Sequence, residues 1–263
     1  MSVSTFFTTD TNPLRDALNE TKPVFGLFVS EIKSPWLAAM VNEAGYDFCV
    51  FDMEHGTFSL SDISAMTAAF CGGHCTPLVR IPSIRRDIIT PLLDLGIGGI
   101  VVPNVETADD VRTCIEYMKY PPQGSRGVSL SRPHTGFASV ERTRFLELAN
   151  ARNLLIIQIE SQQAVENLDE ILSVPGIDAA FVGCGDLSLS MRISSDPVSG
   201  PLRETLEHIL DKAGQYNVHG GANVSHPHLI EALIPCGLRV IAVTTDTKGF
   251  LVGISRPLHS IKH

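Results

Sequence analysis

Short, uninterrupted apolar runs recur along the chain. Four of them are entered through a glycine, and each closes soon after its last apolar residue: 45–52 (GYDFCVFD), 96–104 (GIGGIVVPN), 176–183 (GIDAAFVG) and 237–244 (GLRVIAVT). Glycine suits the left-handed residue just past a helix. Apolar runs without alternation suit parallel strands buried on both faces. Four further runs, at 24–30, 77–81, 154–160 and 218–223, read as strands of the same kind, which brings the number to eight. Helical spacing fills the intervals. Ser34 and Pro35 open one helix with an N-cap and a first-turn proline, and Leu37, Met40, Val41 and Ala44 follow at helical intervals. Further helices are predicted over 86–95, 108–117, 162–172, 202–215 and 226–234, with Pro91 as a potential break in the first of these. Eight strands alternating with helices predict an α/β fold, a (β/α)8 TIM barrel. The rival is a doubly wound open sheet. It would more often carry a glycine-rich turn after its first strand, and residues 25–31 lack the dinucleotide pattern.

No linker or low-complexity segment divides the 263 residues, a length that α/β barrels commonly use for a single domain. Within a domain of 1–263, residues 1–20 read as an N-terminal extension. Residues 120–150 interrupt the alternation with Pro121, Pro122, Gly124, Gly127, Pro133 and Gly136, and read as a long loop or lid. The formal net charge of −9 disfavours nucleic acid as a partner. No apolar run is long enough to span a bilayer, and residues 1–13 lack the pattern of a secretory signal, so a cytoplasmic protein is expected. The six cysteines are scattered. Cys71, His74 and Cys75 have no second pair at zinc-site spacing, so a reduced loop is expected there.

In a barrel, chemistry gathers at the C-terminal ends of the strands. Those ends supply Glu31, Asp52, Glu54, His55, Arg80, Asn104, Gln158, Glu160, Asp186, Asn223, Thr244 and Asp246, and no lysine. A Schiff-base mechanism, which needs a desolvated lysine, is therefore not expected. Glu160 and Asp186 end consecutive strands, close enough to share one divalent cation of the Mg²⁺ or Mn²⁺ type. Each equally suits capping of the helix that follows. Asp52, Glu54 and His55 form either a carboxylate–imidazole base or a plain surface loop. Arg80 ends an apolar run and must face an anion, whether a substrate carboxylate or a fixed acidic side chain.

Several motifs in order and spacing carry a resemblance: Asp52-x-Glu54-His55, Arg80-x-Pro82, the stretch 96–103, residues 120–127 (YPPQGSRG), Gln158-x-Glu160 and Gly183-x-x-Asp186-Leu187-Ser188. Together they resemble the HpcH/HpaI aldolase family, the metal-dependent class II pyruvate aldolases, from about Gly26 to Asp246. The resemblance implies a lyase that reversibly cleaves a 4-hydroxy-2-oxo acid into pyruvate and an aldehyde through a metal-bound pyruvate enolate. It implies Glu160 and Asp186 as ligands of Mg²⁺, Mn²⁺ or Co²⁺, with Gln158 beside the metal. It implies that Arg80 contacts the keto oxygen, that His55 oriented by Asp52 moves protons, and that amides near Gly185 receive the substrate carboxylate. It further implies a homo-oligomer that exchanges C-terminal helices, often a hexamer built as a trimer of dimers.

The chain departs from the family pattern at Cys184, where proline is common, at Phe28, at Asn223, and over 128–137. Arg132, His134 and Asn223 mark either a polar acceptor pocket or the surface of a mobile loop. An oxaloacetate decarboxylase, or a synthase resembling macrophomate synthase, would use the same enolate and is the alternative reading. The short motifs look closer to the aldolases than to the acyl-CoA lyases of the wider superfamily. A non-catalytic binding protein on an inherited barrel would have no need of Glu160, Asp186, Arg80, Asp52 and His55 together.

Overall fold

The computed structural model of the chain describes residues 12–262. The elements run α1 (Pro13–Asn19), β1 (Val24–Val29), α2 (Leu37–Glu43), β2 (Phe48–Asp52), α3 (Leu60–Ala69), β3 (Thr76–Arg80), α4 (Arg86–Asp94), β4 (Gly99–Val102) and α5 (Ala108–Met118). They continue with α6 (Arg142–Arg152), β5 (Leu154–Ile159), α7 (Gln162–Glu166), α8 (Leu168–Leu172), β6 (Ala179–Val182), α9 (Cys184–Met191), α10 (Pro201–Gln215), β7 (His219–Asn223), α11 (Pro227–Leu233), β8 (Leu238–Thr245) and α12 (Asp246–Lys262). The strands pair in parallel and in sequence order, and β1 closes on β8. This is the (β/α)8 barrel that the run pattern predicts.

The two faces of each strand explain why the runs do not alternate. One parity, including Leu27, Val29, Cys49, Phe51, Val79, Ile100, Val102, Ile157 and Ile159, packs outward against the helices. The other parity, including Phe28, Phe48, Val50, Leu78, Val101, Ile156, Phe181 and Ala242, fills the barrel interior. Both faces are buried, so both must be apolar. Leu14 and Leu18 of α1 join the interior cluster and close the N-terminal end of the barrel. Asn12 holds this plug in place. Its side chain accepts from the Leu14 N–H, and its amide donates to the carbonyls of Gly98 and Arg152. The expected extension is thus a structural plug from Asn12 onward, and residues 1–11 of it lie outside the described residues.

Three expectations change. The helix predicted over 162–172 divides at Asn167, whose amide donates to the Glu106 carbonyl at 2.8 Å. Pro91 does not break α4, which runs on to Asp94. The segment 120–150, expected as a long loop or lid, is docked in part against α4. It contains most of α6, Ser125 accepts from Arg86 at the first residue of α4, and Arg126 and His134 engage the last turn of α4, beside the starts of the strands. Arg126 Nη2 donates to Asp94 Oδ1 at 2.6 Å, and His134 Nδ1 lies 3.1 Å from the Asp94 carbonyl oxygen. His134 is fully buried there and Arg132 is exposed next to it, so neither residue reaches the end of the barrel where Arg80 lies.

Candidate active site

The inward-facing residues change character at the last position of several strands. Below lie Phe28, Val50, Leu78, Ile156 and Phe181; above them stand Asp52, Arg80, Gln158 and Asn223. Parallel register puts Asp52 directly beside Arg80 on neighbouring strands, both facing inward. Arg80 Nε donates to Asp52 Oδ1 at 2.9 Å, and Nη2 donates to Oδ2 at 2.6 Å. This two-point pairing fixes the plane of the guanidinium. The guanidinium also stands over the Phe28 ring, 5.1 Å from its centroid. Its Nη1 reaches Gln158 Oε1 at 3.4 Å and Glu54 Oε2 at 3.2 Å. Burial works to raise the Asp52 pKa, but the Arg80 fork and the N–H groups of His55 and Glu54 outweigh it, and the carboxyl is held below the usual range. Arg80 is pushed upward by the same pairing, against the effect of its own burial.

Glu160 follows β5 and is buried. It accepts from the Asn104 N–H at 2.7 Å through Oε1 and from Gln158 Nε2 at 3.1 Å through Oε2. Burial pushes its carboxyl pKa up. The neighbouring Glu54 and Asp186 add to that rise, while the Asn104 N–H and Arg80 oppose it. Asp186 lies in the first turn of α9, whose opening residues Cys184 and Gly185 line the same cavity. The first N–H groups of a helix have no intrahelical partner, so this end suits a carboxylate. The cavity holds about 320 Å³ and is walled by Phe28, Asp52, Arg80, Glu160, Asp186 and Asn223, among others.

The oxygen donors of Glu160 and Asp186 suit a hard divalent cation that keeps several of its waters. The space for Glu160 is cut by Gly183: a β-carbon on that residue would collide with Glu160 Oε2. Among the described residues no cluster of three or more His, Cys, Asp or Glu side chains forms a cage for a metal. Glu160 and Asp186 are the side chains of this cavity that could hold such a cation.

The structure brings Asp52, Arg80, Gln158, Glu160, Gly185 and Asp186 to one cavity and leaves His55 at its rim, largely exposed. The expected pairing of Asp52 with the His55 imidazole does not form. Asp52 pairs with Arg80 and accepts the backbone N–H groups of Glu54, at 3.0 Å, and His55, at 3.2 Å, rather than the His55 ring. The carboxylate near the imidazole belongs to Glu54, with Oε2 3.9 Å from His55 Nε2. Three further strand-end residues take part in holding the site: Glu54, read from the sequence as part of a carboxylate–imidazole cluster, and Asn104 and Asp246, to which sequence reasoning gave no role. Glu54 meets Arg80. Asn104 touches both Glu54 and Glu160. Asp246 accepts the N–H groups of Ser30, Glu31 and Ile32 and fastens the end of β1 to the start of α12. Their positions were legible, but their partners lie far away in the chain.

Comparison with known proteins agrees with this geometry. The family model for HpcH/HpaI aldolase/citrate lyase matches residues 25–251. A hydroxypyruvate/pyruvate aldolase of Paraburkholderia phytofirmans is 29% identical, over 97% of this chain and 99% of that protein. A 2-keto-3-deoxy-L-rhamnonate aldolase of Klebsiella pneumoniae is 30% identical, over 95% of this chain and 93% of that protein. The crystal structure of an HpcH/HpaI aldolase from Desulfitobacterium hafniense superposes with a TM-score of 0.89 at 27% identity, covering 95% of this chain and 96% of that one. With the match spanning nearly the whole barrel, the chain belongs to the HpcH/HpaI aldolase/citrate lyase family.

Proposed function

We propose that the protein is a carbon–carbon lyase that reversibly cleaves a 4-hydroxy-2-oxo acid into pyruvate and an aldehyde. The observation that carries this reading is one cavity in which Arg80, locked by Asp52, faces the carboxylates of Glu160 and Asp186. The substrate carboxylate binds at the first turn of α9, near Gly185. The Arg80 guanidinium then points at the C2 keto oxygen, with Gln158 alongside. When the C3–C4 bond breaks, its electron pair moves through C3 to that oxygen, and a fixed guanidinium stabilises the charge where it develops. The C4 hydroxyl proton leaves for the His55 imidazole, directly or through a water, and the aldehyde departs. Return of a proton to C3 completes pyruvate. Glu160 and Asp186 would hold a divalent cation, Mg²⁺, Mn²⁺ or Co²⁺, which supplies Lewis-acid stabilisation of the same oxygen.

A homo-oligomer is part of this reading. Only Asp246 is buried among the 17 residues of α12, and Phe250, Leu251, Val252, Ile254, Leu258 and Ile261 are exposed. A cytoplasmic setting fits six free thiols. No helix among the described residues is long and apolar enough to cross a membrane.

The test is pyruvate release by chelator-stripped protein with each cation restored in turn. A racemic 4-hydroxy-2-oxo acid and oxaloacetate are assayed separately, with Glu160→Ala and Arg80→Ala as controls. Cation-dependent release from the hydroxy-oxo acid, lost in both variants, is the expected result. Release from oxaloacetate alone would replace the aldolase reading with a decarboxylase or synthase. No release from either substrate by a folded protein that binds no cation would overturn the lyase reading.

A further inference from the structure

Asn104 follows β4 with φ at +53°. Few side chains other than Asn and Asp are tolerated in that left-handed region. The turn aims the Asn104 N–H at Glu160 Oε1, 2.7 Å away. The side chain of the same residue reaches in another direction, where Nδ2 donates to Glu54 Oε1 at 3.1 Å. A single residue therefore satisfies one oxygen on each of two carboxylates that flank Arg80. Each carboxylate keeps its second oxygen on the working side. Glu54 Oε2 lies 3.2 Å from Arg80 Nη1 and 3.9 Å from His55 Nε2, while Glu160 Oε2 accepts from Gln158.

We propose that Asn104 is a positioning residue with two separable actions: its peptide N–H holds Glu160 in place for the divalent cation, and its side-chain amide holds Glu54 against Arg80 and His55. This inference rests on the reading of Glu160 as a cation ligand and of His55 as the proton acceptor. Glycine adopts the same positive φ and keeps the N–H, so Asn104→Gly removes only the amide. Alanine is crowded in that region, so Asn104→Ala also disturbs the turn that aims the N–H. Asn104→Asp keeps shape and turn but sets an acceptor against Glu54 Oε1.

The experiment measures Mn²⁺ affinity by calorimetry on the chelator-stripped full chain, and kcat and KM for pyruvate release on the reloaded enzyme. Asn104→Gly is expected to bind Mn²⁺ within about twofold of wild type and to keep KM, while kcat falls about tenfold or more. Asn104→Asp should lose at least as much kcat, whereas a merely structural role would tolerate this isostere. Folded Asn104→Ala should bind Mn²⁺ at least about fivefold more weakly. Unchanged kcat in Asn104→Gly overturns the amide action, and unchanged Mn²⁺ affinity in folded Asn104→Ala overturns the peptide action. If Asn104→Ala does not fold, weakened Mn²⁺ binding in Asn104→Gly overturns the division of roles. Wild-type protein that neither binds Mn²⁺ nor releases pyruvate overturns this inference together with the lyase reading, a result distinct from failure in the variants alone.

Discussion

Asp52 and Arg80 form a nearly buried ion pair, with side chains only 5% and 12% exposed. Removing one partner of such a pair leaves an uncompensated charge and typically costs about 3–5 kcal/mol. Loss of activity in Arg80→Ala therefore has to be read beside a stability measurement. Gly183 offers a cleaner probe of the carboxylate side. A β-carbon at this position collides with Glu160 Oε2 and comes within 2.7 Å of the Glu160 β-carbon, so Gly183→Ala, read beside a stability measurement, should displace the Glu160 carboxylate. We expect Mn²⁺ affinity, measured by calorimetry, to fall by about tenfold or more in this variant, with a parallel loss of pyruvate release. Wild-type affinity would show that Glu160 is not held where the cation binds. Cys184 lines the same cavity, but burial pushes its thiol up to about 11, so it stays protonated at neutral pH and is not a candidate nucleophile. Sequence reading placed Arg80 and Glu160 at strand ends because each closes an apolar run; it put Asp186 at a strand end as well, but β6 stops at Val182 and Asp186 lies in the first turn of α9. The orientation of the His55 imidazole by Asp52 came from the family resemblance, and the residues themselves left Asp52 and Glu54 both open as its carboxylate. The true partner of Asp52, Arg80, is adjacent only through the β2–β3 register.

Elements whose signals are local were the legible ones. The α3 helix, absent from the predicted set, carries such a signal all the same: Ser59 and Asp62 form a capping box. The role of α1 as a barrel plug was not legible, because Leu14 and Leu18 acquire their partners only when the sheet closes. The segment 120–150 shows the same limit. Its prolines and glycines suggest an irregular excursion, yet its destination is set by Arg126 and His134 meeting Asp94. His134 gives that docking a measurable pH dependence. Its Nδ1 faces a carbonyl and must carry the proton, and burial together with the nearby Arg126 pushes the imidazole down to about 4. The unfolded chain takes up a proton near pH 6.5, and the folded protein does so only near 4. Between these values the unfolded state binds more protons, so stability is lost as pH falls through that window. The loss attributable to His134 is on the order of 3 kcal/mol. Urea midpoints at pH 7 and pH 4.5 should show a smaller drop in His134→Asn, which keeps a donor near the carbonyl without the titration. An equal drop in both proteins would refute the assignment.

Across the described residues, the longest row of exposed large apolar side chains lies on α12. The α10 helix buries Leu202, Leu206, Ile209, Leu210 and Ala213 against its own barrel, the stripe expected of a helix on a TIM barrel. By contrast, α12 buries only its first residue and leaves a row of large apolar side chains exposed. A patch of this kind suits association, and the homo-oligomer proposed above would use it. We expect wild type to sediment as an oligomer, and the paired change Phe250→Asp with Ile254→Asp to yield smaller, folded particles in analytical ultracentrifugation. An unchanged sedimentation coefficient would remove α12 from the interface. What the sequence determined by itself is the architecture and the end of the barrel where polar residues close the strands. Strands buried on both faces require continuous apolar runs, and polar residues closing those runs must sit where the runs reach solvent. The tertiary structure alone decided which polar groups meet. Asp52 faces Arg80, Asn104 bridges Glu54 and Glu160, and His134 lies at the opposite end of the barrel from Arg80. Each of these pairings depends on strand register and barrel closure, which join residues dozens of positions apart and leave no trace in a local window of the chain.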